Sequence, residues 1–141
     1  MAEFAIVAPI FVLLVAGIIQ FGLALNYWLD MQRIANQGAR WAVVNHYPGC
    51  PRTGPEAPCS PSLEAVLASD PVSGGLNPTV TICFEEQTGS PSGATVGDPV
   101  TVRLTSAFAM VPIIGIGSLD LTAEATMRVE QRPTRYTAGA C

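Results

Sequence analysis

The sequence FAIVAPIFVLLVAGIIQFGLALNYWL, residues 4–29, decides the fold, because it contains no charged residue. Glu3 precedes this stretch and Asp30 follows it. A helix of about 26 residues rises about 39 Å, which exceeds the roughly 30 Å of a bilayer's hydrocarbon core. The stretch therefore predicts a helix that is long enough to cross a membrane.

The helical pattern continues beyond Asp30 as an amphipathic one. Apolar or small residues recur there at spacings of three and four, which is typical of a helix with one face to bury: Met31, Ile34, Ala35, Gly38, Ala39, Trp41, Ala42 and Val43. We expect one continuous helix from near Glu3 to about Asn45, ending by Tyr47-Pro48-Gly49 because the residue before a proline avoids helical geometry. Pro9 lacks a backbone donor, so a kink or a loosened turn is expected near the start.

The remainder of the chain predicts a small sheet. Residues 79–87, 99–106 and 119–130 alternate apolar and polar side chains, which is typical of strands with one buried face. A short helix is expected over 63–68, capped by Ser60 or Ser62. The apolar connection 108–116 either covers one end of the core or forms an exposed patch.

These elements predict an α+β fold in which a long N-terminal helix packs under a three-stranded antiparallel sheet. We divide the chain into a long helix, 1–46, and a β-rich domain, 47–141. Within the helix, we expect residues 1–29 to form the half that lies in a membrane or packs on copies of itself. Residues 30–46 form the amphipathic half that packs on the β-rich domain.

All four cysteines follow the apolar stretch, and a small domain outside a cell uses cysteines as disulfides. Four cysteines allow three pairings. The Pro- and Gly-rich segment 47–61 separates Cys50 from Cys59, so we predict the pairs Cys50–Cys59 and Cys83–Cys141. Zinc is disfavoured because the only histidine, His46, has no ligand spacing around it.

Composition argues against two classes of function. The formal net charge is −4, and the seven basic residues form no cluster, so nucleic acid is not an expected partner. The sequence contains no nucleophile elbow, phosphate loop or HExxH motif, so we expect neither an enzyme nor a cofactor. The acidic start and the long apolar run do not resemble a signal peptide. We therefore expect either an N-terminal anchor or a mature chain from which a basic leader has been removed.

Four segments carry a resemblance to a known family. They are AEFAIVAPIF (2–11), GIIQFG (17–22), NQGARWA (36–42) and TAEATMRVE (122–130). Together they resemble the TadE-like pilins and pseudopilins of tight-adherence (Flp) pilus systems. The resemblance implies a type IV pilin-like fold and a precursor cut by a prepilin peptidase. It also implies a structural subunit that leaves the bacterial inner membrane, with the help of its assembly machinery, for an extracellular pilus used in attachment.

The residues expected to act in assembly all lie in the first half of the helix: Glu3, Phe4, Pro9, Gly17, Gln20 and Gly22. A carboxylate is costly in lipid unless a positive group meets it, and the resemblance implies that Glu3 contacts the N-terminus of a neighbouring copy. Small residues let helices approach closely. Two alternatives remain: a minor TadE-like pseudopilin, and a single-pass anchored binding module that forms no filament.

Overall fold

The structure is a computed structural model and describes residues 2–45, 62–70, 75–84, 94–109 and 117–133. Its elements, in chain order, are α1 (Ala2–Val43), α2 (Leu63–Ser69), β1 (Thr79–Phe84), β2 (Pro99–Ala109) and β3 (Ser118–Arg128). The strands form one antiparallel sheet in the order β1-β2-β3. The predicted α+β architecture is therefore confirmed. The division of the chain at residue 46 remains a prediction.

The long helix is continuous for 42 residues and runs through Pro9. It ends at Val43, close to the predicted end near Asn45 and ahead of Tyr47-Pro48. Asn45 adopts a left-handed conformation with φ of 49°, and its backbone N–H donates to the carbonyl of Ala42. Asparagine is one of the few residues that tolerates this conformation, so it terminates the helix. A signal for this helix end is thus present in the sequence before the proline.

The core lies between the second half of α1 and one face of the sheet. Met31, Ile34, Ala35, Ala39 and Ala42 are fully buried on the helix. They meet the inward-facing side chains of the strands, as the alternation predicts: Ile82, Phe84, Val100, Val102, Leu104, Leu121, Ala123 and Ala125. The helix packs on β2 and β3, whereas α2 packs mainly on β1.

The short helix α2 confirms the predicted cap, with Ser62 as the capping residue. The Ser62 Oγ accepts a hydrogen bond from the backbone N–H of Ala65 at 3.3 Å. Leu63 and Leu67 are the buried residues of α2. Gly38 of α1 leaves space for Leu67, since a β-carbon at Gly38 would lie 2.6 Å from the Leu67 Cδ1.

Two features of the sheet differ from the sequence expectation. Cys83 and Thr101 share the polar face with Thr81 and Thr105, yet both are buried and Cys83 is disulfide-bonded. The other three cysteines lie outside the described residues, so both predicted pairings stay predictions. In addition, β2 extends to Ala109 and includes Phe108, which we expected in the connection. The remainder of that connection, 110–116, lies outside the described residues.

Candidate functional site

The first half of α1 is the largest exposed apolar surface in the described part of the protein. No residue from Val7 to Leu23 is buried, and the large apolar side chains between Val7 and Phe21 are 38–69% exposed. An 18-residue window of the helix has a mean hydropathy of 2.4, with 6% of that window buried. We call residues 7–23 the free half of α1, and residues 24–43 the packed half.

The transition between the two halves is abrupt. Ala24 is the first buried residue of the helix, at 6% exposure. Tyr27 then packs its ring against Phe108 of β2, with ring centroids 5.2 Å apart. One turn of helix therefore separates a segment with no buried residue from one that carries the hydrophobic core.

Trp28 fixes the helix to the free edge of β3. Its Nε1 donates a hydrogen bond to the carbonyl oxygen of Thr122 at 3.1 Å. Hydrogen-bonded and non-bonded pairs alternate along an antiparallel ladder. Just beyond the end of β3, the Val129 N–H donates to the carbonyl of Asp98, which directly precedes β2. Thr122 lies seven residues before Val129, so its carbonyl points away from β2. Trp28 thus occupies an acceptor on the open edge of the sheet.

A groove lies where the free half meets the sheet, and we call it the junction groove. Its walls are eight residues from α1 and β3: Gly17, Gln20, Phe21, Ala24, Leu25, Trp28, Leu119 and Leu121. The groove encloses about 470 Å³. Apart from the Gln20 amide and the Trp28 indole N–H, the side chains that line it are apolar. The sequence pattern did not reveal this groove, because only the packing places Leu119 beside Phe21.

The predicted assembly residues are distributed along the first half of α1. Gly17 and Gln20 meet in the junction groove, while Pro9 lies about 12 Å farther toward the N-terminus at 1.5 Å per residue. A β-carbon at Gly17 or Gly22 would meet no heavy atom within 4 Å. Glu3 and Phe4 belong to α1, but their side chains lie outside the described residues. The roles assigned to these six residues stay predictions.

Groups of acidic, histidine or cysteine side chains that could hold a metal ion are absent from the described residues. A separate, polar depression near β3 is lined mainly by hydroxyl groups, together with Asn77 and Asp120. Asp120 points to the outer face of the sheet, opposite the helix. Neither observation adds a catalytic arrangement to the described part of the chain.

Comparison with known protein families gives a match for the N-terminal part of the chain. Residues 1–40 match the family model described as TadE-like protein. Neither the curated proteins nor the solved structures contain a match. TadE-like proteins are a structural, pilus-associated family, and the apolar helix fits membrane anchoring. The TadE-like resemblance indicated by the sequence is therefore confirmed over residues 1–40, a segment that contains the whole free half of α1.

Proposed function

We propose that this protein is a structural subunit of a tight-adherence (Flp) pilus that assembles through the free half of α1. The observation that carries the proposal is the contrast in burial within one helix, in the segment that matches the TadE-like family. The large apolar side chains of the free half are 38–69% exposed and lie on every side of the helix, as the consecutive residues Ile10 to Val15 show. One neighbouring helix covers only one side, so several copies are needed to bury them, as in a bundle of such helices.

The same surface suits two environments in succession. Before assembly, lipid covers the apolar side chains of the free half, because the helix can span a bilayer. In the filament, neighbouring helices replace the lipid, and Gly17 and Gly22 allow close approach of their backbones. The protein therefore moves from the bacterial inner membrane, after cleavage by a prepilin peptidase, to the extracellular pilus. It acts as a structural protein and not as an enzyme, and the pilus serves surface attachment.

The first experiment measures assembly directly. Pili are sheared from cells that produce the full-length protein, and immunogold electron microscopy shows whether the protein lines the filaments. Ile18→Asn, in the free half, is expected to abolish labelled filaments. Val96→Asn, at an exposed position on the far end of the sheet, should leave them intact. Equal filament yields from both variants would contradict assembly through the free half.

Glu3 provides a second test of the same proposal. Glu3→Ala is expected to leave the protein in the membrane at normal abundance while sheared filaments disappear, because the neighbouring N-terminus loses its counter-charge. Glu3→Asp, which keeps the charge, should retain part of the assembly. Normal filaments from Glu3→Ala would remove the role proposed for this carboxylate.

The alternative is a minor pseudopilin or an anchored binding module. It is favoured by the length of the free half, which by itself can anchor a single copy. Quantitative mass spectrometry of sheared filaments separates the two. A major subunit dominates the filament protein, whereas a minor one is present at a few copies per filament. An anchored module stays in the membrane fraction.

A further inference from the structure

The junction groove has a position along α1 that bears on how the protein lies in a membrane. Leu119 and Leu121 lie beside Gly17, Phe21 and Leu25, and all three of these helix residues belong to the uncharged stretch 4–29. The sheet therefore overlaps the apolar stretch and does not begin beyond it. If the whole stretch were in the bilayer, the start of β3 would be in it too.

When the charged Glu3 stays at one surface of the bilayer, the helix length sets the depth of the junction groove at the other surface. From Phe4 to Ala24 the helix rises about 30 Å, which equals the thickness of the hydrocarbon core. Ala24 is also the first buried residue of α1. The hydrocarbon boundary thus coincides with the level at which the free half becomes the packed half, and that is the level of the junction groove.

The side chains on either side of this boundary fit that depth. Leu119 is 41% exposed, although it belongs to the apolar face of β3. Trp28 lies one turn above Ala24, about 6 Å nearer the water, where an indole ring is favoured at the headgroup level. Asp120 follows Leu119 but is exposed on the opposite face of the strand, where it stays hydrated.

We propose that the junction groove is a lipid-binding surface. The start of β3 rests in the membrane interface, and the upper part of an acyl chain lies between Leu119, Phe21 and Leu25. The protein therefore contacts the bilayer through two elements, the helix and the end of the sheet. This inference rests on the membrane-inserted state in the proposed function, and it adds a lipid contact to the sheet domain.

Photocrosslinking in vesicles tests the proposal. The full-length chain carries p-benzoylphenylalanine in place of Leu119 and is reconstituted in phosphatidylethanolamine/phosphatidylglycerol vesicles at about one copy per vesicle. Illumination should attach lipid at position 119, detected by mass spectrometry. The matched control is position 96 at the opposite end of the sheet, where Val96 is also apolar and is 63% exposed. We expect at least fivefold more lipid adduct at 119 than at 96.

A third position, Ile10, separates failure of this inference from failure of the anchor. Lipid adducts at Ile10 but not at Leu119 would overturn the lipid-binding groove and leave the anchor standing. Adducts at neither position would overturn both. A repeat with several copies per vesicle admits a second copy. A protein–protein adduct at Leu119 in place of lipid would then assign the groove to that copy and so overturn the inference while supporting assembly.

The native tryptophan gives a second readout that leaves the groove unaltered. In a Trp41→Phe variant, Trp28 is the only remaining tryptophan. Its fluorescence should be quenched more strongly by lipids labelled near the headgroup than by lipids labelled at the chain end. Equal, weak quenching by both labels would place Trp28 in water and contradict the proposed depth.

Discussion

The two halves of α1 are buried in the opposite sense to their hydropathy. The free half has Gln20 as its one polar side chain and is exposed, whereas the packed half contains seven polar or charged residues and carries the core. Ile18 and Ile34 are the same residue type in the same helix, yet Ile18 is 65% exposed and Ile34 is fully buried. Only the packed half has a sheet beside it. The difference teaches that burial in this helix depends on what covers each segment, and not on the hydrophobicity of the segment. Stability and assembly should therefore respond to different halves.

The largest expected effect comes from removing a buried side chain of the packed half. Ile34→Ala should lower the free energy of unfolding by about 2–5 kcal/mol, because it leaves a cavity between α1 and the sheet. Ile18→Ala should change it by less than about 0.5 kcal/mol. Denaturant titration of both variants in the same detergent measures the difference. Equal losses would contradict the division into two halves.

The glycines provide a second matched pair. Gly38→Ala places a methyl group against the buried Leu67. We therefore expect the free energy of unfolding of this variant to be about 1–3 kcal/mol lower than that of the Gly17→Ala variant. Gly17→Ala meets open space and should gain up to about 1 kcal/mol from higher helix propensity. Thermal unfolding in detergent is the measurement. If Gly38→Ala is as stable as Gly17→Ala, Leu67 does not limit the space at this contact.

A smaller effect is expected at the boundary of the two halves. Trp28→Phe removes the hydrogen bond to the Thr122 carbonyl and should cost about 0.5–1.5 kcal/mol. Hydrogen exchange should show faster exchange near Thr122 and unchanged exchange near Val100. Uniformly faster exchange through the sheet would indicate that Trp28 supports the whole core and not the edge alone.

The smallest effect is expected on the face of the sheet that lies away from the helix. Arg103 and Glu124 form an ion pair of 3.1 Å across β2 and β3, with both side chains more than 40% exposed. Solvent screens such a pair, so Glu124→Gln should cost less than about 0.5 kcal/mol, and the cost should fall further in high salt. A loss comparable to that of Ile34→Ala would show that the outer face contributes to stability as much as the core.

Much of this fold could be predicted from periodicity. The charge-free stretch, the spacing of Met31 and Ile34 and the alternation in β2 predict the helix and the sheet, because each pattern repeats over many residues. The burial of Thr101 and Cys83 could not be predicted, since alternation assigns a face but does not show what covers it. The helix end was predicted near Asn45, but the left-handed conformation of that residue is a single-residue feature that periodicity does not show.

The candidate site was predictable only in part. The free half follows from hydropathy alone, and six assembly residues could be chosen from composition and resemblance. The junction groove could not, because it depends on which helix residues lie opposite the start of β3. The alignment of the helix with β3 is fixed by contacts between residues that are about 100 positions apart in the sequence, as the Trp28–Thr122 hydrogen bond illustrates.

The attachment of β3 to α1 at both ends has a mechanical consequence. Trp28 donates a hydrogen bond to Thr122 in the first half of β3. Just beyond the end of β3, the backbone N–H groups of Glu130 and Gln131 both donate to the carbonyl of Val43. Between these attachments the helix rises about 22 Å and the strand about 26 Å, so the two run side by side in the same direction. A pull along the helix axis loads these bonds and the core between them together, in shear. The sheet domain should consequently resist tension as one body, instead of peeling from the helix one bond at a time.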